Sequence, residues 1–200
     1  ASDLHDDIGS SLTKISLQSE LIREGIEPEE RENYLTGIAT MSRELISTMS
    51  DIVWSIDARN DTWGNLFQKM RDSAAETLSM KGIELSFTHS GFDEKKRIPP
   101  DVRENLYLIA KEAVNNAAKY SNARHVSIVL RNDHDKFTLV IGDDGHGIDA
   151  AHLEAARNGQ RSGRSGHGLR NMRMRAERFG ATVDWVNDDG LKIILSAKPM

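Results

Sequence analysis

Four short segments of this 200-residue chain carry side chains that could do chemistry. Near the start, Leu4-His5-Asp6-Asp7-Ile8-Gly9-Ser10 sets an imidazole beside two carboxylates. With an unperturbed pKa of about 6.5, a His ring is largely neutral at pH 7, and its free lone pair makes it a competent nucleophile. An adjacent carboxylate such as Asp6 can hold its tautomer and take up its proton. Gly9 lies one helical turn beyond His5 and would leave room beside the ring for a transferring group. The same segment also suits a solvated helix face.

The second segment runs Asn105 to Tyr120 and contains Glu112-Ala113-Val114-Asn115-Asn116-Ala117-Ala118-Lys119. Glu112 and Asn116 are one helical turn apart and Lys119 follows, so the three make a polar stripe beside an apolar face. A carboxylate and an amide oxygen placed so can hold Mg²⁺ or its waters, and the lysine can meet phosphate. A solvated face of an amphipathic helix has the same pattern. Third comes Val140-Ile141-Gly142-Asp143-Asp144-Gly145-His146-Gly147. A carboxylate at a strand end can accept a hydrogen bond from an adenine amine while the glycines let the backbone come close. Asp-Gly also commonly makes a simple turn. The fourth, Gly163-Arg164-Ser165-Gly166-His167-Gly168-Leu169, offers glycines and then a helix N-terminus to an anion. It is neither a P-loop nor a dinucleotide fingerprint, because no lysine motif follows and position 171 is Asn.

These segments need elements to position them. Leu4, Ile8, Leu12, Ile15 and Ile22, then Tyr34, Ile38, Met41, Leu45, Met49, Ile52 and Ile56, recur at helical spacing and predict two long helices joined at Gly25 and Pro28. A two-helix hairpin has one inward stripe and cannot close a core alone, so pairing into a homodimeric four-helix bundle is expected. Ala58 to Thr62 reads as a polar linker. Beyond it the spacing predicts helices over about Leu66–Met80 and from Pro100 past Ala117, and later over Leu169–Phe179. Strands are predicted at Ile83–Phe87, Val126–Leu130, Phe137–Ile141, Thr182–Val186 and Leu191–Ser196, with a loop over Asp149–His167. The expected architecture is therefore α plus α/β. A hairpin domain spans residues 1–60, and an α/β sandwich with a mixed sheet spans 61–200.

Composition narrows the chemistry. There is no cysteine, which excludes disulfides, thiolate metal sites and thiol nucleophiles. A net charge of −5 argues against direct nucleic-acid binding. No apolar run approaches the roughly 18 residues that cross a bilayer. The chain opens Ala1-Ser2-Asp3 without an initiator Met and reads as an excised soluble portion of something longer.

Taken together and in order, the last three segments resemble the ATP-binding domain shared by histidine kinases, DNA gyrase, Hsp90 and MutL-type ATPases. The resemblance makes Glu112, Asn116 and Lys119 its N box, with Asn116 the Mg²⁺ ligand, and Asp143 the adenine-reading carboxylate of Asp-x-Gly-x-Gly, with Gly145 and Gly147. It makes Gly166, Gly168 and Leu169 the second glycine box. The first half is similar to the dimerisation and phosphoacceptor domain of histidine kinases whose H box reads His-Asp, as in nitrate sensors and a desaturase-controlling thermosensor. That likeness implies His5 as phosphoacceptor and Asp6 as its base, with ATP and Mg²⁺ as cofactors. It also implies a response-regulator receiver as partner, with a helix-turn-helix output domain, and a cytoplasmic placement with membrane helices only in the missing N-terminal part. Two positions depart from the subfamily. Ser10 stands where Gln is usual, which implies weak phosphatase activity, and Tyr120 stands where His closes the N box. The rivals are an ATPase or protein kinase of the same nucleotide-binding class in which His5 is idle, and a pseudokinase that only dimerises and binds.

Overall fold

The computed structural model describes residues 2–157 and 166–200. The chain divides into two units, Ala1–Asp57 and Ala58–Met200. The first is a helical hairpin of α1 (Ser2–Glu24) and α2 (Pro28–Ile56). The turn follows from its residues. Gly25 takes φ +89°, a conformation side chains resist, and Pro28 opens α2 with Glu29 and Glu30 in its first turn, where acidic groups meet the helix dipole. Gly37 allows close approach of the two helices, since a Cβ there would lie 3.2 Å from Gln18 Oε1.

No residue of α2 is fully buried. Ile38, Met41, Leu45 and Ile52 are half-buried, as a single inward stripe requires. A second stripe was not separable from the first by periodicity. Ile46, Met49, Val53 and Ile56 are exposed, Ile46 at 65% and Ile56 at 76%.

The second unit is a five-stranded mixed sheet in the order β1-β2-β3-β5-β4. Its strands are β1 (Glu84–Ser90), β2 (His125–Asn132), β3 (Phe137–Asp143), β4 (Thr182–Asn187) and β5 (Leu191–Ala197). β1 runs parallel to β2 and every other pairing is antiparallel. The register aligns one buried face: Ile128 opposes Ile141, Ile141 opposes Ile193, Leu139 opposes Leu195, and Trp185 opposes Ile193. On this face pack α3 (Trp63–Ser79), α4 (Pro100–Asn116) and α6 (Gly166–Glu177), contributing Leu66, Met70, Leu106, Ile109, Met172 and Ala176 to the core. A layer of helices on one face of a mixed sheet is the expected sandwich. No described helix is long and apolar enough to cross a membrane.

Two segments differ from the sequence expectation. The polar run Ala58–Thr62 is no featureless linker: Ala58–Asn60 forms a 3₁₀ turn, and Thr62 caps α3 by accepting the Asn65 N–H at 3.3 Å. The loop expected over Asp149–His167 contains an additional helix, α5 (Ala150–Arg157). Its start has a cause that composition hides among the glycines and arginines. Asp149 Oδ1 accepts the His152 N–H at 2.9 Å as an N-cap, and alanines, the best helix formers, follow.

Candidate functional site

Between the buried sheet face and α4 lies a cavity of about 510 Å³, lined wholly by residues of the second unit. Val126, Ile141 and Ile193 form its apolar floor; Asn116, Ala117 and Tyr120 form one wall; Asp143, Gly147 and Leu169 lie around its rim. The volume is within the usual range for a small-molecule site, about 300–1,000 Å³.

The wall is built by an irregular helix end. After Asn116 the chain passes into a π turn, Ala117–Ser121, and stops at Asn122, which takes φ +54°. π turns are rare and frequent at functional sites. Here the turn is tied down by Ser121, whose Oγ donates to Ala117 O at 2.7 Å and accepts the Ala123 N–H at 3.0 Å. Ser121 O in turn accepts the His146 N–H at 3.0 Å, which seats the glycine-rich loop. Gly145 is forced by this seating, since a Cβ would lie 2.1 Å from Ser121 O.

The two adjacent carboxylates have separate duties. Asp143 lines the cavity, and its Oδ1 accepts the Gly145 N–H at 2.9 Å and the Leu191 N–H at 3.5 Å, which leaves Oδ2 for a ligand. Asp144 instead pins the start of β2, its Oδ1 accepting N–H groups of Arg124 at 2.8 Å and His125 at 2.9 Å. Those two donors, His125 first, hold the Asp144 carboxyl below its ordinary value of 3.8. A carboxyl whose folded pKa is depressed stabilises the fold above its unfolded pKa and loses that contribution as pH falls through the folded value. Asp144→Ala should therefore lower the urea midpoint at neutral pH by an amount that shrinks as pH drops below 3.8, read from parallel denaturation curves. A difference that stays constant into acid would remove the carboxylate from this role.

Gly147 has φ +71°, and a Cβ on it would lie 2.7 Å from Asn187 Oδ1. Asn187 holds the loop from both sides, accepting the Ile148 N–H at 3.1 Å and donating to Ile148 O at 2.6 Å. In the sequence Asn187 looks like one residue of a turn, and nothing local marks it as a clamp across 39 positions.

Most of the residues singled out by sequence meet here. Asn116, Asp143, Gly147 and Leu169 all line the cavity. Gly168 brings α6 against α4: a Cβ there would lie 2.1 Å from Glu112 Oε1 and 3.3 Å from Asn116 Nδ2. Glu112 thus stands one turn behind the wall, and Gly145 supports the rim. Lys119 is exposed on the π turn and is not a lining residue, whereas Tyr120, at 60% exposure, is. His146, Asp149 and His152 also line the cavity, and sequence reasoning assigned none of them a role. Gly166 opens α6, while Gly163, Arg164 and Ser165 lie outside the described residues. His5 and Asp6 fall in α1, and their side chains also lie outside the described residues.

The donor set suits a magnesium nucleotide. The floor is apolar enough for a base, and Asp143 keeps one acceptor oxygen for an exocyclic amine. No group of three or more His, Asp or Glu able to hold a metal occurs among the described residues. Mg²⁺ does not require one, because it commonly keeps waters and phosphate oxygens and takes only one or two protein ligands. Asn116 can supply such a ligand.

Family comparison agrees with this geometry. Residues 101–199 match the model for "Histidine kinase-, DNA gyrase B-, and HSP90-like ATPase", and residues 1–61 match a model for "Histidine kinase". The chain belongs to the histidine kinase family. Among histidine kinases it is similar to the sensor histidine kinase YxjM of Bacillus subtilis, with 26% identity over 98% of this chain and 46% of that protein. The chain thus spans under half the length of that relative. Its fold is that of the histidine kinase domain from Erythrobacter litoralis EL346 blue-light activated histidine kinase (TM-score 0.57, 14% identity, 99% of this chain and 93% of that one). The ATP-binding domain of PrrB from Mycobacterium tuberculosis is also similar (TM-score 0.53, 18% identity, 67% and 93%). A family match at both ends of the chain does not favour an ATPase with an idle His5.

Proposed function

We propose that this chain binds Mg-ATP in the cavity beside Asn116 and phosphorylates its own His5, then passes the phosphoryl group to an aspartate of a response regulator. The observation that carries the reading is the convergence of Asn116, Asp143, Gly147 and Leu169, from three separate sequence segments, on one cavity of suitable size. Mg-ATP, when bound, supplies the γ-phosphoryl group and screens its charge. The chain's own residues do the rest. Val126, Ile141 and Ile193 take the base away from water, Asp143 Oδ2 accepts its amine, and Asn116 offers its amide oxygen to the metal. Gly145 and Gly147 let the backbone come close to the base, Gly166, Gly168 and Leu169 at the start of α6 bring backbone N–H groups towards the phosphates, and exposed Lys119 can reach the same side. Glu112 orients Asn116 from one turn behind. The His5 ring attacks phosphorus, a P–N bond forms as the P–O bond to ADP breaks, and Asp6 takes up the ring proton.

The test is incubation with γ-labelled ATP: the label should be retained in alkali and lost in acid, as phosphohistidine is. Alkali-labile label would point to another acceptor and remove the reading. The relatives' names, sensor histidine kinase and sensor protein, support a role for this chain in passing on a sensed signal.

The hairpin supports a homodimer. Ile46, Met49, Val53 and Ile56 remain exposed on α2, joined by Leu12 and Leu17 on α1, so a second hairpin could bury them. Burial of each such side chain is worth about 1.5–3 kcal/mol. The double substitution Ile46→Glu with Val53→Glu should weaken the dimer roughly 100-fold or more, since it removes two such contacts and buries charge. Sedimentation equilibrium measures this, with nucleotide affinity unchanged as the control. A dimer of unaltered strength would assign the interface to other residues.

A further inference from the structure

The residues that follow the hairpin are held far more firmly than their polar composition suggests. Asp61 N donates to Ala58 O at 3.3 Å, and Asp61 O accepts the Ile98 N–H at 3.2 Å. Trp63 N and Gly64 N donate to Lys96 O and Glu94 O, at 3.2 and 2.9 Å. Thr62 pairs with Arg97 as an isolated bridge, and Asn65 Nδ2 donates to Arg59 O at 2.9 Å. At the centre is an ion pair: Arg103 Nη1 lies 2.7 Å from Asp61 Oδ1, with Arg103 at 0% exposure and Asp61 at 7%.

A buried ion pair is a weak device for stability, because desolvating two charges offsets most of their attraction, and apolar replacements are often as stable. What such a pair does fix is register. Arg103 sits in the first turns of α4, the 17-residue helix that ends at Asn116 in the cavity wall. Asp61 stands four residues past Asp57, the extended residue (φ −81°, ψ 106°) that ends α2. The pair therefore ties the entry of the second unit to the helix that carries the nucleotide site.

We propose that Asp61 and Arg103 are positioning residues for phosphoryl transfer, which hold the entry of the second unit in fixed register on α4, the helix that carries Asn116. This rests on the autophosphorylation reading above, and it assigns the pair no contact with substrate.

The informative variant is Asp61→Leu with Arg103→Met in the whole 200-residue chain, because it removes both charges of the clamp together. Three quantities are read: amide hydrogen exchange over residues 58–66, the Kd for Mg-ATP, and the kcat and KM of His labelling. The expected result is exchange faster by 10-fold or more, confined to that segment, with Kd and KM within about twofold of wild type and kcat lower by about 10-fold or more. Arg103→Lys, which keeps the charge, should restore part of the kcat. Exchange that stays slow in the double variant would overturn the clamp, and fast exchange with unchanged kcat would overturn its positioning role. A wild type that never labels would remove the autophosphorylation reading and with it the positioning role; the exchange data would still judge the clamp.

Discussion

Replacing His5 by Gln should eliminate acid-labile, alkali-stable labelling entirely, while affinity for Mg-ATP stays within about twofold of wild type, as expected for sites that share no partners. A Gln amide is close to imidazole in reach and polarity, but its nitrogen lone pair is delocalised into the carbonyl and it cannot attack phosphorus. Affinity is preserved because every residue lining the cavity belongs to the unit Ala58–Met200, whereas His5 belongs to Ala1–Asp57. Labelling with γ-³²P ATP and titration calorimetry, run on the same preparations, separate the two effects. Label that persists in His5→Gln would assign the acceptor to another residue and leave the nucleotide site standing.

Asp143→Asn should have the opposite signature: labelling falls because nucleotide no longer binds. The loss follows from which oxygen is already engaged. Asp143 Oδ1 accepts two backbone N–H groups, from Gly145 and Leu191. An asparagine at this position keeps those bonds only by turning its carbonyl oxygen towards them, which aims its NH₂ at the ligand. An adenine amine would then meet a donor where it needs an acceptor. Leaving both groups unsatisfied in a buried site costs about 2–3 kcal/mol, roughly 30- to 150-fold in Kd. Calorimetry should record that loss with an unchanged thermal midpoint, since the loop retains its own hydrogen bonds. An Asn variant that binds ATP as tightly as wild type would mean that Asp143 serves the loop alone.

The legible parts of this chain were those in which one residue type has one physical use. Alternating apolar residues at Val126, Ile128 and Leu130 gave a strand with a buried face, and the strand is there with that face inward. Gly25 and Pro28 marked the hairpin turn for similar reasons. Asp143, Asn116 and Leu169 were found because their chemistry and their order along the chain matched one pattern, and the cavity gathers all three. What stayed hidden depends on partners distant in sequence. Asp61 reads as a linker residue until Arg103 is beside it, and Asn187 reads as a turn until it grips Ile148. Asp144 could not be told from Asp143 by type, because only the N–H groups of Arg124 and His125 distinguish them. Met49 and Ile56, which are exposed, read in sequence as part of the inward stripe, since both stripes have helical spacing and differ only in what covers them.

The π turn at Ala117–Ser121 makes this stretch of the chain intolerant of changes in length. Its wider loop of backbone carries more residues than an α turn would, so dropping one, say Ala118, would let the segment relax into ordinary helix with better local geometry. The relaxation would still be harmful. A shortened turn has one side chain fewer to present, whereas Ala117, Tyr120 and Ser121 all line the cavity and Ser121 O seats the loop at His146. Among variants of this chain, deletions should therefore accumulate in the turn between β2 and β3 and be absent between Asn116 and Asn122, although a helix end on the protein surface is ordinarily a forgiving place for them.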